Sequence, residues 1–190
     1  MEEEARADPE SLWIQQIVEG DRGAFEKLYQ AYQARLFRYL FRMVGDENTA
    51  EELTNDVMVA VWKGAASYRA QSKPSTWLFG IAHHKALNEL RRRRPPTVEV
   101  ETVRELAAPG RGPEGSVERE QVHRSVLRAL QQLSAEHREV VELTFYQGCS
   151  YQEIAEIMQC PVNTVKTRMF YAKKRLQEVL ESQAKEGEIT

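Results

Sequence analysis

The chain has 190 residues, of which 42% are hydrophobic and 29% charged, and its formal net charge is −3. These values predict a soluble chain with enough apolar side chains for one packed domain or two small ones. They exclude a membrane-spanning helix, because no apolar run reaches the roughly 18 residues that such a helix needs.

The N-terminal residues and the two cysteines indicate the cellular compartment in which the protein is expected. The first ten residues, MEEEARADPE, are acidic, whereas a signal peptide begins with basic residues and continues with an apolar run. We therefore expect a cytoplasmic protein. Cys149 and Cys160 have no histidine near them in sequence, so neither a disulfide framework nor a zinc site is predicted, and no pattern indicates a cofactor. The two thiols either sense oxidation or serve as small packing residues.

The charges are unevenly distributed along the chain. Residues 1–60 contain 13 acidic and 6 basic side chains, whereas residues 69–94 contain 7 basic side chains and only Glu89 as an acid. Residues 162–175 add 5 basic side chains and no acid. Two basic segments in an acidic chain indicate two places where a polyanion can bind, although solvated helix faces produce similar runs.

The first third of the chain has the apolar spacing of helices. Residues 25–43 repeat apolar side chains at helical spacing, with Asp21 as the predicted N-cap and Gly45 as the predicted stop. A capping box from Asn48 to Glu51 predicts the start of the next helix. The predicted buried stripe of that helix consists of Ala50, Leu53, Val57 and Val61.

A further helix and a linker follow. Residues 64–74 predict the end of the previous helix and a loop, and Ser75 is predicted to cap a helix that Pro95 terminates. Arginines 91–94 complement the negative end of the helix dipole, which accounts for one or two of them rather than four. Residues 95–115 are rich in proline and glycine without a sustained period, which predicts a linker.

The last third of the chain is also helical in pattern. Residues 117–130 are amphipathic, and residues 134–148 predict a helix capped by Ser134 and ended by Gly148. No segment shows a persuasive strand-like alternation. The sequence therefore predicts an all-α protein of two small helical bundles joined by a flexible linker.

Residues 150–176, SYQEIAEIMQCPVNTVKTRMFYAKKRL, predict two helices joined by a tight corner. Ser150 and Glu153 form a capping box, and the inward positions Val165 and Met169 leave the basic side chains of the second helix outside. This is the pattern of a helix-turn-helix, whose second helix enters the major groove of DNA. An ordinary helical hairpin with a basic rim is the alternative.

Three motifs together resemble those of a known family. AEELTNDVMVAVWKGAASYR, STWLFGIAHHKALNELRRRRPP and the helix-turn-helix segment resemble bacterial RNA polymerase sigma factors, and the size and layout resemble the extracytoplasmic-function (ECF) group. The resemblance implies a region 2 domain at residues 10–95, a linker at 96–116 and a region 4 domain at 117–182. It also implies as partners core RNA polymerase, through its β′ clamp helices and β flap, promoter DNA and an anti-sigma factor.

The resemblance further implies roles for three sets of residues. The residues expected to bind the polymerase are Glu52, Asn55, Asp56, Val59 and Trp62. The residues expected to recognise and melt the minus-ten element are Arg69, Gln71, Ser72, Lys73, Trp77, His84, Lys85, Asn88, Arg91 and Arg92. The residues expected to contact the minus-thirty-five element are Asn163, Thr164, Lys166, Thr167, Arg168, Phe170, Tyr171, Lys173 and Lys174.

Some of these assignments leave alternatives open. His84 stands where the family commonly has Asn or Arg, so the preferred base is open, and Trp77 is either a buried anchor or a stacking platform. Phe170 suits a thymine methyl group and Lys166 a guanine edge. The residues expected to contact phosphates are Arg168, Lys173 and Lys174. The linker acids Glu99, Glu101 and Glu105 either mimic nucleic acid inside the polymerase or only favour solubility.

Two other classes of protein share parts of this pattern. A stand-alone helix-turn-helix regulator would need a receiver or ligand-binding domain, and the N-terminal half shows neither strands nor a pocket signature. A nuclease is suggested by His83 and His84 with Asp56, but neighbouring residues on a helix point about 100° apart and do not easily share one metal ion. No nucleophile motif or phosphate-binding glycine loop is present, so we expect no enzymatic activity.

Overall fold

The computed structural model describes residues 8–93, 126 and 128–187, with side chains through residue 182. Every regular element in these ranges is helical, which confirms the predicted all-α fold. The elements are α1 (Pro9–Val18), α2 (Arg22–Val44), α3 (Glu47–Gly64), a 3-10 turn (Ala65–Ser67), α4 (Pro74–Arg93), α5 (Ala135–Val141), a π turn (Glu142–Tyr146), α6 (Tyr151–Ile157) and α7 (Val162–Gly187). The predicted linker at 96–116, with its three acids, and most of the predicted helix at 117–130 lie outside the described residues.

Helix α2 forms the centre of the first bundle, which comprises α1 to α4. Its inner side chains Leu28, Tyr32 and Leu36 are at most 1% exposed. As predicted, Asp21 caps α2 by accepting hydrogen bonds from backbone N–H groups of the first turn. Gly45 follows the helix with a φ of 72°, in the left-handed region that favours glycine.

Helix α3 begins earlier than predicted. Its N-cap is Asp46, whose carboxylate accepts hydrogen bonds from the backbone N–H and the hydroxyl of Thr49. The prediction of Asn48 as the cap is therefore wrong, because Asp46 is also a strong cap and precedes it directly after Gly45. The predicted inner stripe, Ala50, Leu53, Val57 and Val61, is buried.

Helix α4 lies across α2 and α3. It begins at Pro74, so the prediction that Ser75 caps it is wrong. Proline is favoured at the first helical position because it lacks the N–H group that would have no partner there. Leu78 and Phe79 are fully buried, and the ring of Phe79 packs edge-on against Tyr39 with 5.4 Å between ring centroids.

The second bundle consists of α5, α6 and α7. Ser134 caps α5, and Ser150 and Glu153 form the predicted capping box of α6. The corner between α6 and α7 is made by Gln159, whose φ of 50° lies in the left-handed region. Val165 and Met169 of α7 are buried, as the spacing predicts.

The two bundles are packed against each other. Helix α6 lies on α4 and α5 lies on α2, and one hydrophobic core includes side chains of both bundles. Charged and polar side chains also meet at this junction. The second bundle therefore lies against the α2 and α4 side of the first.

Glu89 holds the C-terminal end of α4 together. Its carboxylate accepts hydrogen bonds from Arg92 at 2.9 and 3.1 Å and from Arg93 at 2.7 Å, and the residue is only 7% exposed. Arg93 also donates to the Thr49 hydroxyl and to the Val44 carbonyl at the junction of α2 and α3. The hydrogen bond from Arg92 lowers the pKa of Glu89, although burial opposes this. Arg92 and Arg93, two of the four consecutive arginines at residues 91–94, therefore help to stabilise the end of α4.

We expect Glu89→Gln to lower the free energy of unfolding by about 1.5–3 kcal/mol at neutral pH, because charge-assisted hydrogen bonds contribute that much. The folded-state pKa of Glu89 is lowered, so this stabilisation is full above the ordinary carboxyl pKa and is lost as pH falls through the folded-state value. Denaturant unfolding of both proteins over the acid range measures it, with Glu26→Gln on an exposed face as the control. A difference that does not shrink towards acid pH would contradict the assignment.

Candidate nucleic-acid and polymerase interfaces

The outward face of α3 is exposed and carries acidic, polar and apolar side chains. Glu52, Asn55 and Asp56 are exposed, and Val59 is 50% exposed. Trp62 is 37% exposed, and one edge of its ring packs on Phe25 with 5.2 Å between centroids. The structure thus brings all five predicted polymerase-binding residues onto one face, with two acids beside an apolar end.

The loop before α4 carries the first group of predicted minus-ten residues. Arg69, Gln71 and Lys73 are exposed, whereas Ser72 is half-buried and its carbonyl accepts a hydrogen bond from the Tyr68 hydroxyl at 2.8 Å. Tyr68 therefore fixes the shape of this loop.

Trp77 packs inward from the start of α4. It is half-buried, and its ring lies 5.3 Å from that of Tyr68. Both rings pack against the hydrophobic core. This geometry favours the buried anchor over the stacking platform.

The outer side of α4 carries the second group of minus-ten residues. His84, Asn88, Arg91 and Arg92 are exposed, and Lys85 is half-buried. The ammonium of Lys85 lies 3.3 Å from a carboxylate oxygen of Asp56. The predicted polymerase face and the predicted minus-ten face therefore adjoin along the α3–α4 groove and share an ion pair, a connection that the sequence did not indicate.

Helix α7 presents the predicted minus-thirty-five residues. Those exposed to solvent are Asn163, Lys166, Thr167, Phe170, Tyr171, Lys173 and Lys174. Thr164 is half-buried. Phe170 is 65% exposed and Tyr171 is 52% exposed, with 5.4 Å between their ring centroids, so two aromatic side chains lie side by side on the outer surface of α7.

Arg168 differs from the other cations of α7. It is half-buried, with one guanidinium nitrogen 3.4 Å from Glu136 and another 3.8 Å from the Cys160 sulfur. It therefore ties α7 to the start of α5 and to the corner before α7. Its role as a phosphate contact stays a prediction, and Glu136 would compete with a phosphate for it.

Aromatic side chains outside the predicted sets extend the α7 surface. Phe145 in the π turn is 63% exposed, and the Lys173 ammonium lies 5.9 Å from the centre of its ring. The ring of His137 lies 6.4 Å from that of Tyr171. Phe145 and Tyr146 stand just before Gly148, the predicted end of the helix, so the sequence does show an aromatic pair in the last turn.

Cys149 and Cys160 are the side chains for which the sequence leaves open whether they sense oxidation or serve in packing. Cys149 and Cys160 are free, and burial raises the pKa of the Cys149 thiol to about 11, which leaves it protonated at neutral pH. A protonated thiol is a poor target for oxidation, so packing is the favoured role of Cys149. In the described part of the chain, no group of three metal-binding side chains occurs and no helix is long and apolar enough to cross a bilayer.

Comparisons with known proteins agree with this architecture. Residues 28–95 match the family model of Sigma-70 region 2, and residues 123–176 match that of Sigma-70, region 4. The RNA polymerase sigma-H factor of Pseudomonas aeruginosa is 30% identical over 92% of this chain and 95% of its own length. The ECF RNA polymerase sigma factor SigW of Bacillus subtilis is 26% identical over 88% of this chain and 94% of its own length.

Solved structures show the same fold. The sigma factor RpoE, in complex with the anti-sigma factor NepR from Bartonella quintana, aligns with a TM-score of 0.68 and 27% identity over 83% of this chain and 96% of RpoE. CnrH, in complex with the cytosolic domain of CnrY, aligns with a TM-score of 0.70 and 21% identity over 92% of this chain and 99% of CnrH, which supports the fold alone.

Two helical bundles with cationic helices on each, one of them in a helix-turn-helix, define a DNA-binding transcription protein. The two family models cover well over half of the sequence in the order expected of one family. The chain belongs to the sigma-70 family of RNA polymerase sigma factors and is of the ECF type.

Proposed function

We propose that the three surfaces described above divide the work of this sigma factor, with α3 binding the polymerase and α4 and α7 binding the promoter. The protein binds core RNA polymerase and directs it to promoters. The observation that carries the division of roles is the exposure of two cationic helices on separate bundles beside one acidic helical face. We propose the domain limits 10–95 and 117–182, with 96–116 as the linker.

The α3 face suits a cationic helical partner. Glu52 and Asp56 supply charge that steers the encounter, and the half-exposed Val59 and Trp62 supply apolar area that is buried on contact. The β′ clamp helices of core polymerase are the proposed partner of this face. The β flap is the proposed partner of the second bundle.

The loop and outer side of α4 suit a melted minus-ten element. Capturing a base requires removing it from the stack, which costs a few kcal/mol and is offset by contacts to the base and by neutralised phosphates. Gln71, Ser72 and Lys73 supply polar groups for a captured base. Lys85, Arg91 and Arg92 supply charge for the adjoining phosphates.

Helix α7 suits the major groove at the minus-thirty-five element. Lys166 and Thr167 stand near the start of the helix, where a recognition helix contacts base edges. Phe170 offers an exposed apolar surface for a thymine methyl group. Lys173 and Lys174 lie farther along and suit phosphates.

An anti-sigma factor is a proposed partner of the chain. The similar RpoE is bound by the anti-sigma factor NepR in its solved structure. We propose that this chain is likewise held inactive by such a protein, and that it acts in the cytoplasm, where promoter and polymerase meet. No catalytic step is assigned to the chain itself.

Association with core polymerase tests the proposed roles. The purified protein is expected to co-elute with core polymerase in size-exclusion chromatography, and to bind a promoter duplex tightly only when the polymerase is present. Tight, sequence-specific binding to the duplex without polymerase, together with no co-elution, would instead indicate a stand-alone helix-turn-helix regulator.

A further inference from the structure

The loop between the 3-10 turn and α4 has an unusual backbone. We call residues 69–73 the minus-ten loop, since they include four of the residues expected at that element. Ala70 in this loop has a φ of 53°, in the left-handed region that a residue with a Cβ atom seldom adopts. Such a conformation costs free energy and persists only where the surrounding structure holds it. The minus-ten loop therefore needs a contact that fixes its backbone.

The Tyr68 hydroxyl supplies that contact. It lies 2.8 Å from the carbonyl oxygen of Ser72, and it is the donor, because a carbonyl oxygen only accepts. Among the residues that the structure describes, this is the one hydrogen bond that reaches the backbone of residues 69–72. The bond thus closes the loop across Ala70.

Helix α1 supports the same hydroxyl group from behind. The Oγ atom of Ser11 lies 3.3 Å from the Tyr68 hydroxyl oxygen. Because the single hydroxyl proton of Tyr68 is donated to Ser72, Ser11 is the donor in this second hydrogen bond. We call Ser11, Tyr68 and the Ser72 carbonyl the hydroxyl relay. Hydrogen bonds connected in this way polarise and strengthen one another.

The two hydroxyl groups are carried by packed elements. The Tyr68 ring lies 5.3 Å from that of Trp77, and both rings pack against the hydrophobic core. Helix α1 packs against α2, and Ile14, three residues after Ser11, is 1% exposed. The hydroxyl relay therefore connects the minus-ten loop to a fixed part of the first bundle.

A second contact of the minus-ten loop involves a side chain only. The Lys73 ammonium lies 2.7 Å from the carboxylate of Glu153 in α6, and the Lys73 side chain is 71% exposed. An exposed ion pair on a long, rotatable side chain contributes little and leaves the backbone free to move. The hydroxyl relay is thus the contact that sets the backbone shape of the loop.

Base capture gains from a loop that already has its shape. The proposed function gives Gln71, Ser72 and Lys73 the task of contacting a base removed from the stack, and these contacts must offset the cost of removing it. If the loop became ordered only on capture, the entropy lost in ordering its backbone would be subtracted from that gain. A loop held in advance avoids this loss.

We propose that Ser11 and Tyr68 are positioning residues for promoter melting, because the hydroxyl relay holds the minus-ten loop in the shape that accepts a captured base. This inference rests on the proposed function of the loop. The two hydroxyl groups act through the Ser72 carbonyl and need not touch the DNA. Helix α1, which lies outside the predicted contact sets, thereby takes part in promoter opening.

Proteolysis of the free protein tests whether the hydroxyl relay holds the loop. Tyr68→Phe removes the hydroxyl group and keeps the ring that packs on Trp77. Trypsin cleavage after Arg69, followed by mass spectrometry, is expected to become about 3- to 10-fold faster, as for the loss of one hydrogen bond. Tyr29→Phe, which removes a half-buried tyrosine hydroxyl from α2, is the control and should change nothing. Cleavage after Lys27, inside α2, reports global unfolding and should stay slow in both variants.

Binding of the holoenzyme to pre-melted promoters tests the role in base capture. The fragments come from a promoter that the holoenzyme transcribes; each has a single-stranded minus-ten segment with one abasic nucleotide at a successive position. The position whose loss weakens wild-type binding most marks the captured base. Tyr68→Phe is expected to weaken binding to the intact fragment by about 3- to 10-fold and to leave binding to the fragment without that base unchanged. Ser11→Ala acts through Tyr68, so it is expected to add nothing to Tyr68→Phe.

The outcomes separate the positioning role from the proposed function. An unchanged cleavage rate after Arg69 in Tyr68→Phe would overturn the proposal. Equal weakening on every fragment is the result of a merely structural role, and it would overturn the positioning role while the proposed function stands. If no abasic position weakens binding by the wild-type holoenzyme, the proposed function of the loop fails and the positioning role fails with it.

Discussion

Reversing both charges on the outward face of α3, Glu52→Lys with Asp56→Lys, is expected to weaken binding to core RNA polymerase by about 30- to 150-fold. Like charges brought together at an interface cost several kcal/mol, and about 2–3 kcal/mol corresponds to this range. Both side chains are exposed, so the substitutions leave the bundle core intact. Titration of fluorescently labelled protein with core polymerase at physiological salt measures the effect.

Asp56 needs a separate control because it also pairs with Lys85 at 3.3 Å. Adding Lys85→Glu to the double variant restores an ion pair within the protein but leaves the outward face cationic. Binding to polymerase should stay weak in this triple variant. Recovery of binding would mean that the internal pair, and not a polymerase contact, explained the loss. Glu19→Lys with Glu26→Lys provides an equal charge change on other exposed positions.

Two lysines of α7 are expected to separate sequence recognition from general affinity. Lys166→Ala is expected to reduce discrimination between matched and mismatched minus-thirty-five elements by about 1–3 kcal/mol, as for loss of a good base contact. Lys173→Ala is expected to weaken all promoters alike and to reduce the slope of log affinity against log salt by about 1. Binding of holoenzyme to paired promoters at several salt concentrations measures both.

The controls for the lysine experiment come from the same chain. Lys27→Ala removes an exposed cation from α2, outside both proposed DNA surfaces, and should change neither quantity. Phe145→Ala removes the ring near Lys173 and checks whether that lysine acts through its 5.9 Å ring contact. Identical behaviour of Lys166→Ala and Lys173→Ala on matched and mismatched promoters would show that the assigned roles are wrong.

Much of the fold follows from local sequence. Helical spacing identified α2 and α3 with their inner faces, and Asp21, Ser134 and Ser150 act as the caps that their positions predict. The two errors in helix starts, at Asn48 and Ser75, occur where another good starting residue lies close by in sequence. Local sequence preferences do not decide which of two neighbouring residues begins a helix, because both suit the first turn.

The outward positions of the candidate site were also accessible from sequence. The spacing on α3 and α7 placed Asp56, Lys166 and Phe170 on exposed faces, and the structure has them there. The roles of these residues came from the family resemblance and stay predictions.

The junction between bundles was not accessible from sequence. Glu139 and Glu142 stand in a charged helix and look like solvent-facing acids, but they are buried against α2 and α4. Their partners lie about 60 to 100 residues away along the chain, and helical periodicity carries no information about such pairs. The contact of Arg168 with Glu136 was not predictable for the same reason, since it depends on how α5 meets α7. The role of Arg168 as a phosphate contact stays a prediction.

Run-off transcription with purified core RNA polymerase and a promoter library tests most directly whether two cationic helical surfaces and one acidic face act together as a sigma factor. The expected result is transcripts that require this protein and arise from templates sharing one motif near minus ten and another near minus thirty-five. A folded protein that leaves core polymerase unable to initiate on any template in the library would contradict it.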